Sequence, residues 1–356
     1  AVADVNDAGG VLGTDVVVIH GDSGDTSTNI ASQTVDRLLA DDADVVVGAV
    51  SSAVSLNVID KITAAGVAQI SPGNTAVKLS TYPDKGLYFR TAPPDTFQGS
   101  VLADLVRRGG HTAVAVLARQ DAYGEGLAET FAAEYTQSGG SVVAQVVYDW
   151  RTTDFTNDVA TVARRRPQAV VLIGFDESAA IVRELVAQGL GPGAASLYLA
   201  DGNLSSTLYQ ELAPGTMSGV QGTRPGARLT AGFRSRLLAL DPDLADLTYA
   251  GESYDAVVLG ALAAAAAGSD AGRSVAAALV QVSAGGRRCT AYAECLALLT
   301  SGVDIDYDGV SGPADLHANG DPARATVGVY RYGPDDTVDE AAATYVTADL
   351  PPAGAS

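Results

Sequence analysis

The chain has 356 residues, 47% of them hydrophobic and 18% charged, with a formal net charge of −20. That length exceeds what one compact core usually supports, so two lobes of ordinary domain size are expected, and the balance of apolar to charged residues excludes a disordered tail. The acidity opposes phosphate backbones and anionic lipid, which argues against nucleic acid as a partner, and the longest apolar stretch, Ala256 to Gly268, is interrupted by Gly260 and is too short to span a bilayer.

Along the chain, short β-branched runs alternate with segments of helical spacing, the pattern of βαβ units around parallel sheets. A first set of strands is expected at Asp15 to His20, Val45 to Gly48, Val67 to Ser71 and Leu87 to Thr91. Between the first two, Ser27 to Leu39 has a Ser/Thr start and apolar residues at Ile30, Val35, Leu38 and Leu39, which predicts an amphipathic helix. After Pro93 and Pro94 a second set follows at Thr112 to Leu117, Ser141 to Tyr148, Ala169 to Gly174 and Ser196 to Ala200. Beyond Pro225 the pattern changes to helices at Leu229 to Leu240, Thr248 to Ala267 and Arg273 to Val282, then a Gly/Asp-rich region and a late strand at Ala325 to Tyr332. The fold class expected is α/β, two doubly wound parallel-sheet lobes, with residues 1–93 plus 223–327 in lobe I and 94–222 plus 328–356 in lobe II. In such folds the ligand site lies between lobes, at the carboxyl ends of the strands.

The two cysteines, Cys289 and Cys295, lie close together, and a pair used this way suggests one small disulfide loop in an oxidising compartment. Two cysteines alone make a poor zinc site. From Asp304 the string DIDYDG has the D-x-D-x-D-G spacing of a calcium loop, with Asp315 at the twelfth position. Its flanks are not clearly helical and Ser311 stands where an apolar residue is usual, so an Asp/Gly-rich turn is the preferred reading and no metal is assigned. The three histidines, His20, His111 and His317, are scattered, and no nucleophile elbow, zinc helix or phosphate loop occurs, so no catalytic residue is assigned and no enzyme is expected.

Several strings carry a family resemblance. AVADVNDAGGVLG, VVVGAVSSAVS, ISPGNTAVKLS, RTAPPDTFQG and RQDAYGEGLAETF resemble, in order, the first helix, the two ligand loops, the first lobe crossing and the tyrosine-bearing turn of the periplasmic leucine/isoleucine/valine-binding proteins, the type I fold of ABC-transporter substrate-binding proteins. The late CTAYAEC and GVDIDYDGVSGPADLHANGDP resemble actinobacterial versions of the family. The resemblance implies a clamp of two lobes joined by three crossovers that closes on a small amino acid, branched-chain or otherwise apolar. It also implies permease subunits as partners, an extracytoplasmic location, a monomer and no cofactor. Two departures from the family go with it: the chain begins inside the first helix, without the family's N-terminal strand, and HGDSGDTS lacks the family's early cysteine.

Carried over position by position, Ser52 and Thr75 are expected on the ligand's α-carboxylate, with Gly73 offering its carbonyl to the α-ammonium and Asn74 beside it in the same loop. Hydroxyls and free amides at a helix N-terminus suit a carboxylate. Asp201 is expected against the ammonium, Tyr123 and Phe175 as covering aromatics, Phe97 as a further wall and Tyr254 near the cleft. Taken singly, Ser52 and Thr75 read as helix N-caps and Asp201 as a turn residue. Their common place just past predicted parallel strands favours a site. The alternatives are a sensory receptor of the same fold, or a binder of an aromatic or other amine-free carboxylate, against which an unpaired buried Asp201 would argue.

Overall fold

The computed structural model describes residues 1–353. Lobe I begins with α1 (Val2–Asp7), α2 (Ile30–Ala40), β1 (Val45–Val47), α3 (Ser52–Ala65), β2 (Ala68–Ser71) and β3 (Tyr88–Arg90). The chain then crosses to α4 (Asp95–Arg108), β4 (Ala113–Arg119), α5 (Ala122–Gln137), β5 (Ser141–Tyr148), α6 (Thr156–Ala163), β6 (Ala169–Ile173), α7 (Ser178–Ala187), β7 (Ser196–Leu199) and β8 (Gln221–Pro225). It returns through α8 (Ala231–Leu240), α9 (Ala250–Ala267), α10 (Gly272–Ser283), β9 (Arg287–Cys289), α11 (Tyr292–Thr300), β10 (Ile305–Gly309) and β11 (Gly312–Pro313). A third crossing leads to β12 (Arg324–Arg331) and β13 (Thr344–Asp349).

Strands β1, β2 and β3 form a parallel sheet in that order, and β11, β10 and β9 form a small mixed one in which β10 is parallel to β9 and antiparallel to β11. The large sheet has the order β13-β12-β8-β7-β6-β4-β5. It is parallel from β8 to β5, and β12 is antiparallel to both of its neighbours. The run Ala169–Ile173 is buried at every residue, as a central strand covered on both faces by helices must be. Two apolar clusters flank this sheet, one around Leu172, Ile181 and Leu199 and the other around Leu127, Phe131 and Ile173. In lobe I the Ala-rich α9 is buried on nearly all sides between β1 and β2 on one side and α10 and β10 on the other, which explains an apolar stretch that is not a membrane span. Among the described residues no helix is long and apolar enough to cross a membrane.

Some expectations need correction. Asp15 to His20 is not a strand: the segment is largely exposed, with Val17 82% accessible, and no strand among the described residues lies beside it to complete a ladder. Its anchor is the Asn6 amide, which exchanges two hydrogen bonds with the Val16 backbone. Helix α2 starts at Ile30 rather than Ser27, because Ser27 is held by the Asp25 carboxylate in a local turn. The boundaries expected at 222/223 and 327/328 fall inside β8 and β12, both of which lie whole in the large sheet. The DIDYDG segment supplies β10. Cys289 and Cys295 form a disulfide joining β9 to α11, both cysteines being buried.

Candidate functional site

The two lobes meet around a cavity of about 400 Å³. Lobe I contributes its floor. Strand β1 leads into the turn Val50–Ser51, where the Ser51 hydroxyl caps α3 by accepting from the Val54 N–H at 3.5 Å. The next residue, Ser52, accepts from the backbone N–H groups of Thr75 (3.2 Å) and Ala76 (3.1 Å). Both acceptor positions of that hydroxyl are thereby used, and its own proton is left to donate to a ligand. The N-terminal end of α3 opens on the same cavity, so unpaired amides and the positive end of the helix dipole add to a site for an anion.

The loop after β2 is held rigidly. The Ser71 hydroxyl donates to the Ala49 carbonyl at 2.6 Å and accepts from the Asn74 N–H at 3.0 Å. Arg90, fully buried, pairs with Asp321 at 2.7 Å and donates to the carbonyls of Asn74 and Ala76, both at 3.1 Å. Gly73 has to be small, since a Cβ there would meet Val50 Cγ1 at 2.7 Å.

Lobe II brings Asp201, just past the end of β7. Its Oδ1 accepts from Gln98 Nε2 at 2.8 Å and from the Tyr123 hydroxyl at 2.7 Å, and its Oδ2 from the Tyr249 hydroxyl. A carboxylate has four lone-pair sites, so one remains for a further donor. The Tyr123 and Phe175 rings stack at 5.4 Å with 4° between their planes, and both line the cavity. Burial, then the Asp201 charge, pushes the Tyr123 and Tyr249 phenols well above their ordinary range, so both act as donors. Tyr249 belongs to lobe I, immediately ahead of α9, and its bond to Asp201 ties the lobes together across the cleft. It holds a left-handed backbone (φ 60°), which costs a bulky residue of order 1–3 kcal/mol and marks a position fixed by its surroundings.

Beneath Asp201, the fully buried Asp95 has no hydrogen-bond partner at either carboxyl oxygen, and neither has Gln98 Oε1, three residues further along α4. The Thr75 side chain lies against Asp95 and draws its titration down, but burial, followed by the charge of Asp201, raises the carboxyl well above the usual range. Asp95 is therefore held protonated, which spares the structure a second buried negative charge beside Asp201.

Of the nine expected ligand residues, six line the cavity: Ser52, Gly73, Thr75, Tyr123, Phe175 and Asp201. Three do not. The Asn74 side chain turns inward, its amide donating to the carbonyls of Ala49 (3.0 Å) and Val50 (2.8 Å) and its oxygen accepting from Tyr88. Phe97 packs on Val101, Ala325 and Val327 beneath the large sheet. Tyr254, in the second turn of α9, donates to Asp4 at 2.6 Å and stands edge-on to Phe233, outside the cavity wall. Sequence reasoning missed Ser51, Tyr249, Gln98, Asp176 and Asp246. Ser51 carried a signal as the N-cap of a helix after a strand; Tyr249 carried none, because its partner Asp201 stands on the opposite lobe.

A second cavity, of about 380 Å³, lies beside the first at the crossovers, with Arg224, Arg228, Arg234 and Glu252 in its wall, and shares Thr248 and Tyr249 with it.

Two α/β lobes with convergent donors on one side of a cleft and a carboxylate on the other define a ligand-binding protein of the type I periplasmic fold. The family model described as the receptor family ligand binding region matches residues 1–335, and the chain belongs to that family. It is similar to a Leu/Ile/Val-binding protein homolog 1 of Brucella abortus, 28% identical over 292 residues, or 78% of this chain and 75% of that one. The structure resembles the branched-chain amino acid transporter substrate binding protein LivJ of Streptococcus pneumoniae, solved in complex with isoleucine, with a TM-score of 0.79 and 22% identity over 98% of this chain and 92% of that one. A solute-binding protein of an ABC transporter from R. palustris, solved with benzoate, superposes with a TM-score of 0.72 and 17% identity over 97% and 88%. At such identities the structural likeness speaks for the fold. The chain spans only 40% of the uncharacterized protein MJ1266 of Methanocaldococcus jannaschii, to which it is 26% identical over 44% of its own length. For metabotropic glutamate receptor 6 of Oryctolagus cuniculus the share is 12%, at 35% identity over 29% of this chain.

Proposed function

We propose that the chain is the extracytoplasmic binding protein of an ABC importer and that it closes on an L-amino acid. The α-carboxylate is taken by the Ser52 hydroxyl and the N-terminal end of α3, and the α-ammonium by Asp201 with the Gly73 carbonyl. Tyr123 and Phe175 cover the ligand from lobe II. The observation that carries this reading is the pairing, in one cavity and from opposite lobes, of an anion-binding floor with a carboxylate that keeps one acceptor site open. A ligand that touches both lobes favours the closed form over the open one and shifts the population toward it. The similarity to Leu/Ile/Val-binding proteins supports import, with permease subunits as the partner that reads the closed shape.

The rival ligand class, an amine-free carboxylate such as the benzoate of the R. palustris protein, would set a second anion against Asp201 with no cation lining the cleft. A thermal-shift screen of the amino acids beside their deaminated counterparts separates the two, since a ligand of the native state raises the melting temperature. Selective stabilisation by L-amino acids is the expected result, and stabilisation by the deaminated acids alone overturns the reading.

A further inference from the structure

The cavity wall contains three carboxylates, Asp176, Asp201 and Asp246, and neither lysine, arginine nor histidine. Only Asp201 is accounted for by its partners and by an α-ammonium. Asp176, exposed and following Phe175 in the turn after β6, has no side-chain partner among the described residues. Asp246, exposed in the loop ahead of α9, uses one oxygen to hold Thr248 (2.8 Å from its N–H and 2.5 Å from its hydroxyl) and leaves the other free.

The nearest guanidiniums do not serve these two groups. Arg119, 4.1 Å over the Phe175 ring, is bound to Asp121 and Glu177, and Arg224 is bound to Glu340 and Thr248. Two negative charges therefore remain at the rim after a zwitterion's α-groups are matched. Lobe closure brings them closer to the ligand while removing water that screens them, which favours a ligand that brings a second positive charge. The overall charge of −20 steers cations in the same direction. The same cavity wall has Val50, Leu204 and Leu208, apolar surface for an aliphatic stem.

Resting on the amino-acid reading above, we infer that the preferred ligand is an amino acid with a cationic side chain, an amine or guanidine on an aliphatic stem, whose distal charge is taken by Asp176 and Asp246.

Calorimetric titration of the whole chain with L-arginine, L-ornithine, L-leucine and benzoate, at low and high salt, tests this. Arginine or ornithine is expected to bind more tightly than leucine and to lose affinity with salt. Asp176→Asn and Asp246→Asn, both at exposed positions and both retaining a side-chain acceptor, are each expected to weaken the cationic ligand about tenfold, the weight of one charge-assisted hydrogen bond, while leaving leucine unchanged. Failure of every cationic amino acid to bind, or binding of the cationic ligand by both variants as tightly as by wild type, overturns the inference. If leucine binds and arginine does not, the amino-acid reading stands without it; if benzoate alone binds, both fall.

Discussion

Glu252 offers a quantitative test of how the lobe junction is built. It lies in the first turn of α9, 4% exposed, with its carboxyl packed against Gly226 where the chain leaves β8; a Cβ at Gly226 would lie 2.5 Å from Oε1. Burial, helped by Asp255 and opposed by its own backbone N–H and by Arg224, raises the carboxyl from 4.5 to about 8. Between those two values the folded chain keeps a proton that the unfolded chain has lost. Stability is therefore greatest below 4.5, falls as the pH rises through the window and levels off above 8. At 1.36 kcal/mol for each pH unit the whole loss is on the order of 5 kcal/mol, with roughly 3 kcal/mol of it already present at pH 7. Glu252→Gln keeps the shape and removes the titration. Urea unfolding of variant and wild type at pH 5, 7 and 9, followed by circular dichroism, should show the variant gaining stability over wild type as pH rises. A difference between the two proteins that stays constant from pH 5 to pH 9 would falsify the claim that Glu252 is held protonated.

Other consequences of the structure are open to similar tests. Asp95→Asn supplies a neutral donor where Asp95 must hold its proton, so the variant should be at least as stable as wild type at neutral pH and should lose less stability between pH 4 and pH 7 in thermal melts. Arg90→Ala leaves Asp321 buried and unpaired and frees the Gly73–Thr75 loop, which predicts a loss of about 3–5 kcal/mol in chemical denaturation together with weaker ligand binding. Tyr249→Phe removes a hydrogen bond to a carboxylate across the lobes, a change of about 1.5–3 kcal/mol toward the open form, visible as a larger radius of gyration in small-angle scattering. Replacing both Cys289 and Cys295 by serine opens a loop with a sequence separation of only 6, so the melting temperature should fall, by about 2 kcal/mol of stability, without a change in ligand affinity.

The parts of the fold that the sequence revealed are those where one physical cause dominates. Ala169–Ile173 is apolar at every position because helices cover both of its faces, and the same holds for β4 up to its last residue, Arg119, whereas β2 is equally buried but carries Gln69 and Ser71. Strands β9 and β13 gave no such signal: Arg287–Cys289 is short and polar, and Thr344–Asp349 is a largely exposed edge whose place comes from pairing with β12. Asp15 to His20 shows the opposite failure, a β-branched run with strand propensity and no neighbour to pair with. In the cleft, the placing of Ser52, Thr75 and Asp201 on the cavity wall was legible from the family resemblance, with their common position past parallel strands in support. The facing of a side chain within a loop was not legible. Asn74 and Thr75 are adjacent, yet one braces the loop and the other lines the cavity, and that choice is made by the carbonyls of Ala49 and Val50 some twenty residues earlier. Tyr249 was hidden for a related reason, since only the approach of lobe II turns a residue before a helix into a partner of Asp201.

The central claim is that Asp201 receives the ligand's ammonium group, and the direct measurement is calorimetric titration of wild type and Asp201→Asn with the best-binding amino acid and with its deaminated analogue. The asparagine keeps the size and one acceptor oxygen, for Tyr123 or for Tyr249, but carries no charge, so the amino acid is expected to bind the variant at least tenfold more weakly and the deaminated analogue is not expected to bind wild type at comparable strength. Equal affinity of the amino acid for both proteins, or tighter binding of the analogue than of the amino acid by wild type, would contradict it.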